Sequence, residues 1–351
     1  MEKAARTGIL LMNLGSPDST EVKDVRRYLS EFLMDGRVID IPYLARLLLV
    51  KGIIVPFRSP KSAAAYRAIW TSKGSPLIGF TRQLQEALQR QVKEPVEIAM
   101  RYGNPSPAAA FERLMRKQPG LDEVIAVPLY PHYAMSSYET AVEYVKEIHR
   151  KNNYPFRIRF IKPYYKEARY LDALAESIRP YLDQDFDHLL FSYHGVPERH
   201  IYKGDSTGQH CLKSAACCET DSAAHTRCYR HQCLVTTKMI AEKLGLPDEK
   251  FSFSFQSRLG RDEWLKPYSA SRFKEMPGEG IKKILVACPA FVSDCLETLE
   301  EIAVEGKERF LQAGGESFTM IPCLNVHPLW VKAIAGYVQE VKEGNCEMLL
   351  E

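Results

Sequence analysis

The sequence lacks any apolar run of the roughly 18 residues that a membrane span needs, so no spanning helix is expected. It lacks a dominant sign of charge: the formal net charge is only +3, with no long basic run, and nucleic acid is not an expected partner. No secretory leader is expected either, because Met1-Glu2-Lys3-Ala4-Ala5-Arg6 runs straight into the strand-like Gly8-Ile9-Leu10-Leu11-Met12. That first strand ends in Asn13-Leu14-Gly15-Ser16-Pro17, with neither G-x-G-x-x-G nor a phosphate loop, which speaks against nucleotide chemistry. Also missing are the paired C-x2-C knuckles of a zinc ribbon, although the chain holds nine cysteines.

What is present is the composition of a globular protein, 45% apolar and 26% charged, in 351 residues, a length comfortable for two domains. Strand-like runs recur at 7–13, 96–101, 123–130, 156–162, 187–194, 250–256, 282–288 and 317–323. Helical patterns such as Thr140 to Arg150, Tyr170 to Tyr181 and Val235 to Leu244 alternate with them. Strands alternating with helices imply parallel sheets with both faces covered, hence an α/β fold, and eight strands divide into two halves of four. The expected division is 1–155, 156–325 and a C-terminal helix at 326–351. The halves resemble each other. Val124 to Pro131 is followed eight positions on by Glu139-Thr140, and Lys283 to Pro289 by Glu297-Thr298. Asn13-Leu14-Gly15-Ser16-Pro17 likewise matches Tyr193-His194-Gly195-Val196-Pro197. An internal repeat facing a shared cleft accounts for both matches; chance likeness of short α/β turns is the alternative.

The run Asp187 to Tyr193 reads as a buried strand stopped by Gly195 and Pro197, which puts His194 at a strand's carboxyl end. Open α/β sheets hold their ligand chemistry there, and imidazole can ligate a metal or exchange a proton near neutral pH. After Pro289, the residues Asp294, Glu297, Glu301 and Glu305 follow helical spacing as one acidic stripe, opposite Val292, Leu296, Leu299 and Ile302. Such a stripe is either a solvated face or, at a strand end, a set of oxygens for a divalent cation or proton transfer. Arg58, Tyr66 and Ser75 offer a guanidinium and hydroxyls suited to carboxylates, with plain surface charge as the alternative. The segment Gln256 to Tyr268 brings Arg258 and the flat indole of Trp264. The apolar stretch at about 29–55 is a greasy lip, a membrane-surface contact or an ordinary buried helix.

Cys211, Cys217, Cys218, Cys228 and Cys233 fall in 23 residues as C-x5-C-C-x9-C-x4-C, within a polar insert at about 205–233. In a reducing compartment that density points to a thiolate metal site, a zinc ion or an iron–sulfur cluster, with a redox switch or inert thiols as alternatives. Four ligands suffice for either. Side chains of consecutive residues rarely reach one small site, so only one of Cys217 and Cys218 is expected among them.

Taken together, Leu10 to Pro17, Ser192 to Pro197, Gln256-Ser257-Arg258-Leu259-Gly260 with Trp264, and Phe291 to Leu299 with Glu300-Glu301 resemble the ferrochelatases. These lyases insert Fe²⁺ into a porphyrin in the terminal step of haem synthesis. The resemblance implies two Rossmann-like, chelatase-type halves, each a four-stranded parallel sheet flanked by helices. It implies His194 and Glu297 as the catalytic and metal-handling pair, with Asp294 and Glu301 along the metal's path. It implies Leu14, Arg58, Tyr66, Ser75, Tyr133, Arg258 and Trp264 against the porphyrin, and the 29–55 segment as the active-site lip. Cys295 stands where many members have histidine. The cysteine insert is similar to that of a bacterial subgroup with a [2Fe–2S] cluster, zinc being the alternative occupant. Protoporphyrin IX is the expected substrate and ferrous iron the metal. A coproporphyrin ferrochelatase and a non-catalytic tetrapyrrole or iron–sulfur protein are the competing readings. The expected location is the cytoplasm, with contact to the inner membrane face through the lip; the oligomeric state is left open.

Overall fold

The computed structural model describes residues 5–350 apart from Leu259 and Arg261, so Leu259 of the Gln256–Gly260 motif lies outside the described residues. Eight strands form: β1 (Thr7–Ser16), β2 (Val96–Gly103), β3 (Glu123–Pro128), β4 (Arg157–Phe160), β5 (His188–His194), β6 (Phe251–Gln256), β7 (Lys283–Ala287) and β8 (Ser317–Met320). They make two four-stranded sheets, ordered β2-β1-β3-β4 and β6-β5-β7-β8, and every pairing is parallel. The α/β expectation of two four-stranded parallel sheets therefore holds. Inner strands covered on both faces should be apolar throughout. Accordingly Ile9, Leu10 and Leu11 of β1, and Leu189, Leu190 and Phe191 of β5, are all fully buried.

The chain falls into two compact units. The first takes the chain up to Tyr130, then Met135–Pro163, then everything from Val331. The second takes Pro131–Ala134 and Tyr164–Trp330. Dividing the sequence after 155 would cut β4 from its partner: Ile158 pairs with Val124 and Phe160 with Ala126, so β4 stays in the first unit. The C-terminal segment is likewise part of that unit, where Leu349 bridges Ile161.

The 29–55 stretch divides in two. In the helix Val22–Leu33, the side chains of Tyr28, Leu29 and Leu33 are buried, so this part is packed interior. Tyr43, Leu44, Leu48, Ile53 and Phe57 are instead 57–80% exposed, along a helical run from Tyr43 that includes a π-helical stretch at Leu48–Ile54. Among the described residues, no helix is long and apolar enough to cross a membrane.

Candidate active site

In the second unit the strand order reverses direction between β5 and β7, the switch point at which such sheets leave a crevice beyond their carboxyl ends. β7 pairs with β5 only as far as Ala287 opposite Phe191, so Ser192, Tyr193 and His194 run on beyond it. On the other side His194 stands in register with Gln256. Gly195 is required next: its N–H donates to the Gln256 carbonyl at 2.8 Å, and a Cβ there would lie 2.6 Å from that oxygen. Trp264 closes the turn, bridging Pro197 and lying 3.2 Å from the same Cβ position, so the indole packs on this turn.

His194 is half-buried, and its Nδ1 lies 2.6 Å from the Gly195 carbonyl. A carbonyl only accepts, so Nδ1 carries a proton, and whenever the ring is neutral its lone pair sits on Nε2. That lone pair can bind a metal or take a proton, one at a time.

After β7 the chain enters a π-helix at Glu297–Gly306. Its i→i+5 bonding widens the turn, so residues four apart stay near one line. Thr298, Ile302 and Gly306 face inward, and all three are buried. Glu297, Glu301 and Glu305 form the neighbouring line. Glu305 pairs with Arg309 at 3.1 Å, whereas Glu297 and Glu301 have no lysine or arginine partner among the described residues. Gln256 ties this helix to the sheet: its Nε2 donates to the Glu297 carbonyl at 2.9 Å and its Oε1 accepts from Ser192 at 2.9 Å.

Glu301 accepts the Ser257 N–H at 2.7 Å and the Ser257 hydroxyl at 2.5 Å. Burial pushes its carboxyl above the ordinary range; the Ser257 hydroxyl and the charge of His194 pull the other way, and Glu297 adds to the rise. Burial, followed by the Glu297 carboxylate to which its thiol is hydrogen-bonded, pushes Cys295 well above a free thiol. Neither Ser257 nor Gln256 was singled out from the sequence, although both sit inside a quoted motif.

Asp294 departs from the stripe. It lies ahead of the π-helix, is buried, and accepts from the Thr298 hydroxyl at 3.0 Å, Asn325 Nδ2 at 2.6 Å and the Cys323 N–H at 3.3 Å. It holds loops together. The expected porphyrin residues divide between the units. In the first, Leu14 is half-buried at the end of β1, and Arg58 is exposed on the helix Val55–Ile69. Tyr66 is buried edge-on against Tyr28 and Trp70, and Ser75 is buried at the cap of the helix Pro76–Gln89. In the second, Tyr133 donates its N–H to Gln232 at 2.7 Å, and Arg258 is exposed over the Tyr268 ring at 4.9 Å.

The cysteine insert folds around Asp205, whose carboxylate accepts N–H bonds from His210 and Cys211 at 2.8 Å each. Burial opposes the charge, yet the Cys211 N–H and the Thr207 hydroxyl hold this group well below the carboxylate range. The Cys228 side chain is hydrogen-bonded to those of both Cys211 and Cys218, and the Cys217 and Cys218 sulfurs are 4.0 Å apart. Both members of the adjacent pair thus join one group, because they lie in a compact turn and not an extended strand. Arg230 reaches the Cys218 sulfur at 3.0 Å. Cys233 stands apart, buried and hydrogen-bonded to Tyr229. The donor set of four buried thiols fits a thiolate-held group chemically. Burial pushes Cys211 up, so a cation would be needed to make thiolates of them. Among the described residues, no three histidine, cysteine or acidic side chains converge as a ready-made ion site, here or around His194.

The family model for ferrochelatase matches residues 6–342. The chain is 51% identical over 331 residues to a ferrochelatase of Pseudomonas entomophila (strain L48), covering 93% of this chain and 97% of that one. It is 50% identical over 329 residues to a ferrochelatase of Azotobacter vinelandii (strain DJ / ATCC BAA-1303), covering 93% and 96%. Among solved structures, SirB from Bacillus subtilis with Fe³⁺ shares the fold with a TM-score of 0.55 at 13% identity, covering 99% of this chain and 100% of that one. The chain belongs to the ferrochelatase family.

Proposed function

We propose that this chain is a lyase that inserts Fe²⁺ into protoporphyrin IX to give haem. Family membership supports metal insertion into a porphyrin for haem synthesis. The observation that carries the reading is His194 at a strand end, with Nδ1 held by the Gly195 carbonyl and Nε2 left for a ligand. It lies in the same unit as the buried Glu301, whose carboxyl responds to both His194 and Glu297. A porphyrin must lose two pyrrole protons while the metal sheds water. His194 Nε2 is the proton acceptor or first metal ligand, and Glu297 with the buried Glu301 balances the incoming charge. Arg58 takes a propionate; Tyr66, Ser75, Leu14, Tyr133, Arg258 and Trp264 contact the macrocycle and its edge. Binding energy at the ring's edge is what would be spent on distorting it.

The thiols of Cys211, Cys217, Cys218 and Cys228 are the proposed ligands of a [2Fe–2S] cluster, with Cys233 the spare; what supports this is their mutual contact. Such a group would be structural or redox-sensing, since insertion transfers no electrons. The exposed Tyr43, Leu44, Leu48, Ile53 and Phe57 are proposed to meet the inner face of the membrane from the cytoplasm. The test is anaerobic incubation of the purified protein with Fe²⁺ and either protoporphyrin IX or coproporphyrin, following the metalloporphyrin spectrum. Haem from protoporphyrin, lost in His194→Ala, is the expected result. Faster turnover of coproporphyrin would reassign the substrate, and porphyrin binding without turnover would make the protein a carrier.

A further inference from the structure

The segment Pro131–Ala134 belongs to the second unit, although the chain on either side of it belongs to the first. Two hydrogen bonds sew it to the helix Tyr229–Leu244. His132 Nε2 lies 2.9 Å from the Thr236 hydroxyl, and the Tyr133 N–H donates to Gln232 Oε1 at 2.7 Å. Gln232 is fully buried, and the other end of its amide is spent on the cysteine insert. Its Nε2 donates to the carbonyls of His225 at 3.2 Å and Thr226 at 3.0 Å. The orientation of the amide is therefore fixed, since a flipped group would set its oxygen against two carbonyls. Arg227, the next residue of the insert, lays its guanidinium over the Tyr133 ring, 5.9 Å from the centroid.

We infer that Gln232 and Arg227 are positioning residues for Tyr133, and that through them the fold of the cysteine insert sets how well porphyrin binds. The inference rests on the reading of Tyr133 as a porphyrin contact. The insert enters this helix at its cap residue Cys228, whose carbonyl accepts the Gln232 N–H at 3.1 Å. Whatever fixes Cys228 thus bears on the glutamine one turn later, and the glutamine holds the backbone of Tyr133. Nothing in this chain of contacts touches His194 Nε2 or Glu297, so the effect falls on binding and not on the chemical step.

Steady-state metallation of protoporphyrin IX by the full-length protein tests this with Gln232→Glu, Arg227→Leu, Tyr133→Leu and the Gln232→Glu/Tyr133→Leu pair. The glutamate keeps an acceptor for the Tyr133 N–H but sets a carboxylate against the His225 and Thr226 carbonyls. KM for porphyrin should rise about fivefold or more, the scale of one lost buried hydrogen bond, with kcat within about twofold and KM for iron unchanged. Arg227→Leu, on the surface, should move KM the same way by less, and it decides the matter if Gln232→Glu does not fold. The double variant should be no worse than Tyr133→Leu alone. An unchanged KM in Tyr133→Leu overturns the porphyrin reading of that residue. A raised KM in Tyr133→Leu beside wild-type values in Gln232→Glu and Arg227→Leu overturns only the positioning role. So does a fall in kcat that matches the rise in KM.

Discussion

Replacing Ser257 by alanine removes one of two hydrogen bonds to Glu301, the 2.5 Å bond from the hydroxyl, and leaves the 2.7 Å bond from the backbone N–H. A hydrogen bond to a charged group contributes about 1.5–3 kcal/mol, so the ionised form of Glu301 should lose about that much support. Burial already holds this carboxyl above the ordinary value of 4.5, and the substitution raises it further. Because the native state binds this proton more tightly than the unfolded chain, the group favours folding most at low pH. Its contribution falls as pH climbs from the unfolded value towards the raised native one. The stability lost in Ser257→Ala should therefore be small near about pH 5 and approach the full figure near about pH 8. Backbone geometry supplies a control. Ser257 has φ +67°, where a side chain costs about 1–2 kcal/mol that glycine avoids, partly offset by about 0.5–1 kcal/mol of extra chain entropy. Ser257→Gly should thus lie between wild type and Ser257→Ala in urea midpoint. If Glu301 receives the metal as proposed, it does so ionised, and both variants should shift the acid limb of kcat/KM for iron to higher pH. Equal urea midpoints for wild type and Ser257→Ala at both pH values, with unmoved acid limbs, would refute the argument.

Arg58 is exposed, so Arg58→Ala should leave the fold intact and weaken a dicarboxylate porphyrin by about 1.5–3 kcal/mol; fluorescence titration with an esterified porphyrin should show no such loss, and equal losses would mean Arg58 serves the fold. Asp294→Asn should cost stability, seen as a lower urea midpoint, and leave KM for iron within about twofold, because its oxygens are already taken by Thr298, Asn325 and Cys323. Anaerobically purified protein should contain about two irons and two sulfides, lost on replacing Cys211, Cys217, Cys218 or Cys228 but kept in Cys233→Ser; colourless protein with one zinc would keep the thiolate site and dismiss the cluster.

Much of the fold was legible because parallel strands buried on both faces must be apolar for their whole length. Leu189-Leu190-Phe191 and Ile9-Leu10-Leu11 have no reading as helix surface between turn residues. His194 was legible because Gly195 and Pro197 end the strand at a fixed place. Less visible were features set by tertiary contact. Helical periodicity put Asp294 on the stripe, but the turn ahead of the π-helix rotates it onto Asn325, 31 residues away in sequence. An apolar run reads alike whether it is covered, as Leu29 and Leu33 are, or exposed, as Leu44 and Leu48 are. Gln232 and Ser257 carry no periodic signal, since a polar residue gains its meaning from partners that only folding brings to it.

The two units show how one scaffold carries two different electrostatic settings. Both sheets have the same strand order, and a glycine stands at the carboxyl end of each unit's first strand, Gly15 just inside β1 and Gly195 just past β5. A Cβ on Gly15 would lie 1.8 Å from the Tyr102 carbonyl, as one on Gly195 would crowd Gln256. Both chains then pass through a π-helical turn after the third strand of the unit, at Met135–Glu139 and at Glu297–Gly306. In the first unit the charges cancel: Glu139 pairs with Arg37 at 3.0 Å, and Asp35 accepts from Arg101, Thr140 and, at 2.8 Å, the Tyr102 hydroxyl. In the second, Glu297 and Glu301 have no lysine or arginine paired to them among the described residues, and burial with the neighbouring Glu297 pushes the Glu301 carboxyl up. A divalent ion entering the first set would have to displace an arginine, whereas the described residues place no lysine or arginine against Glu297 or Glu301 in the second. Leu14 where the other half has His194 completes the difference, since a leucine supplies no lone pair. The strand ends are built alike, and on the proposed reading it is the missing arginine as much as the added histidine that would let one of them take a metal.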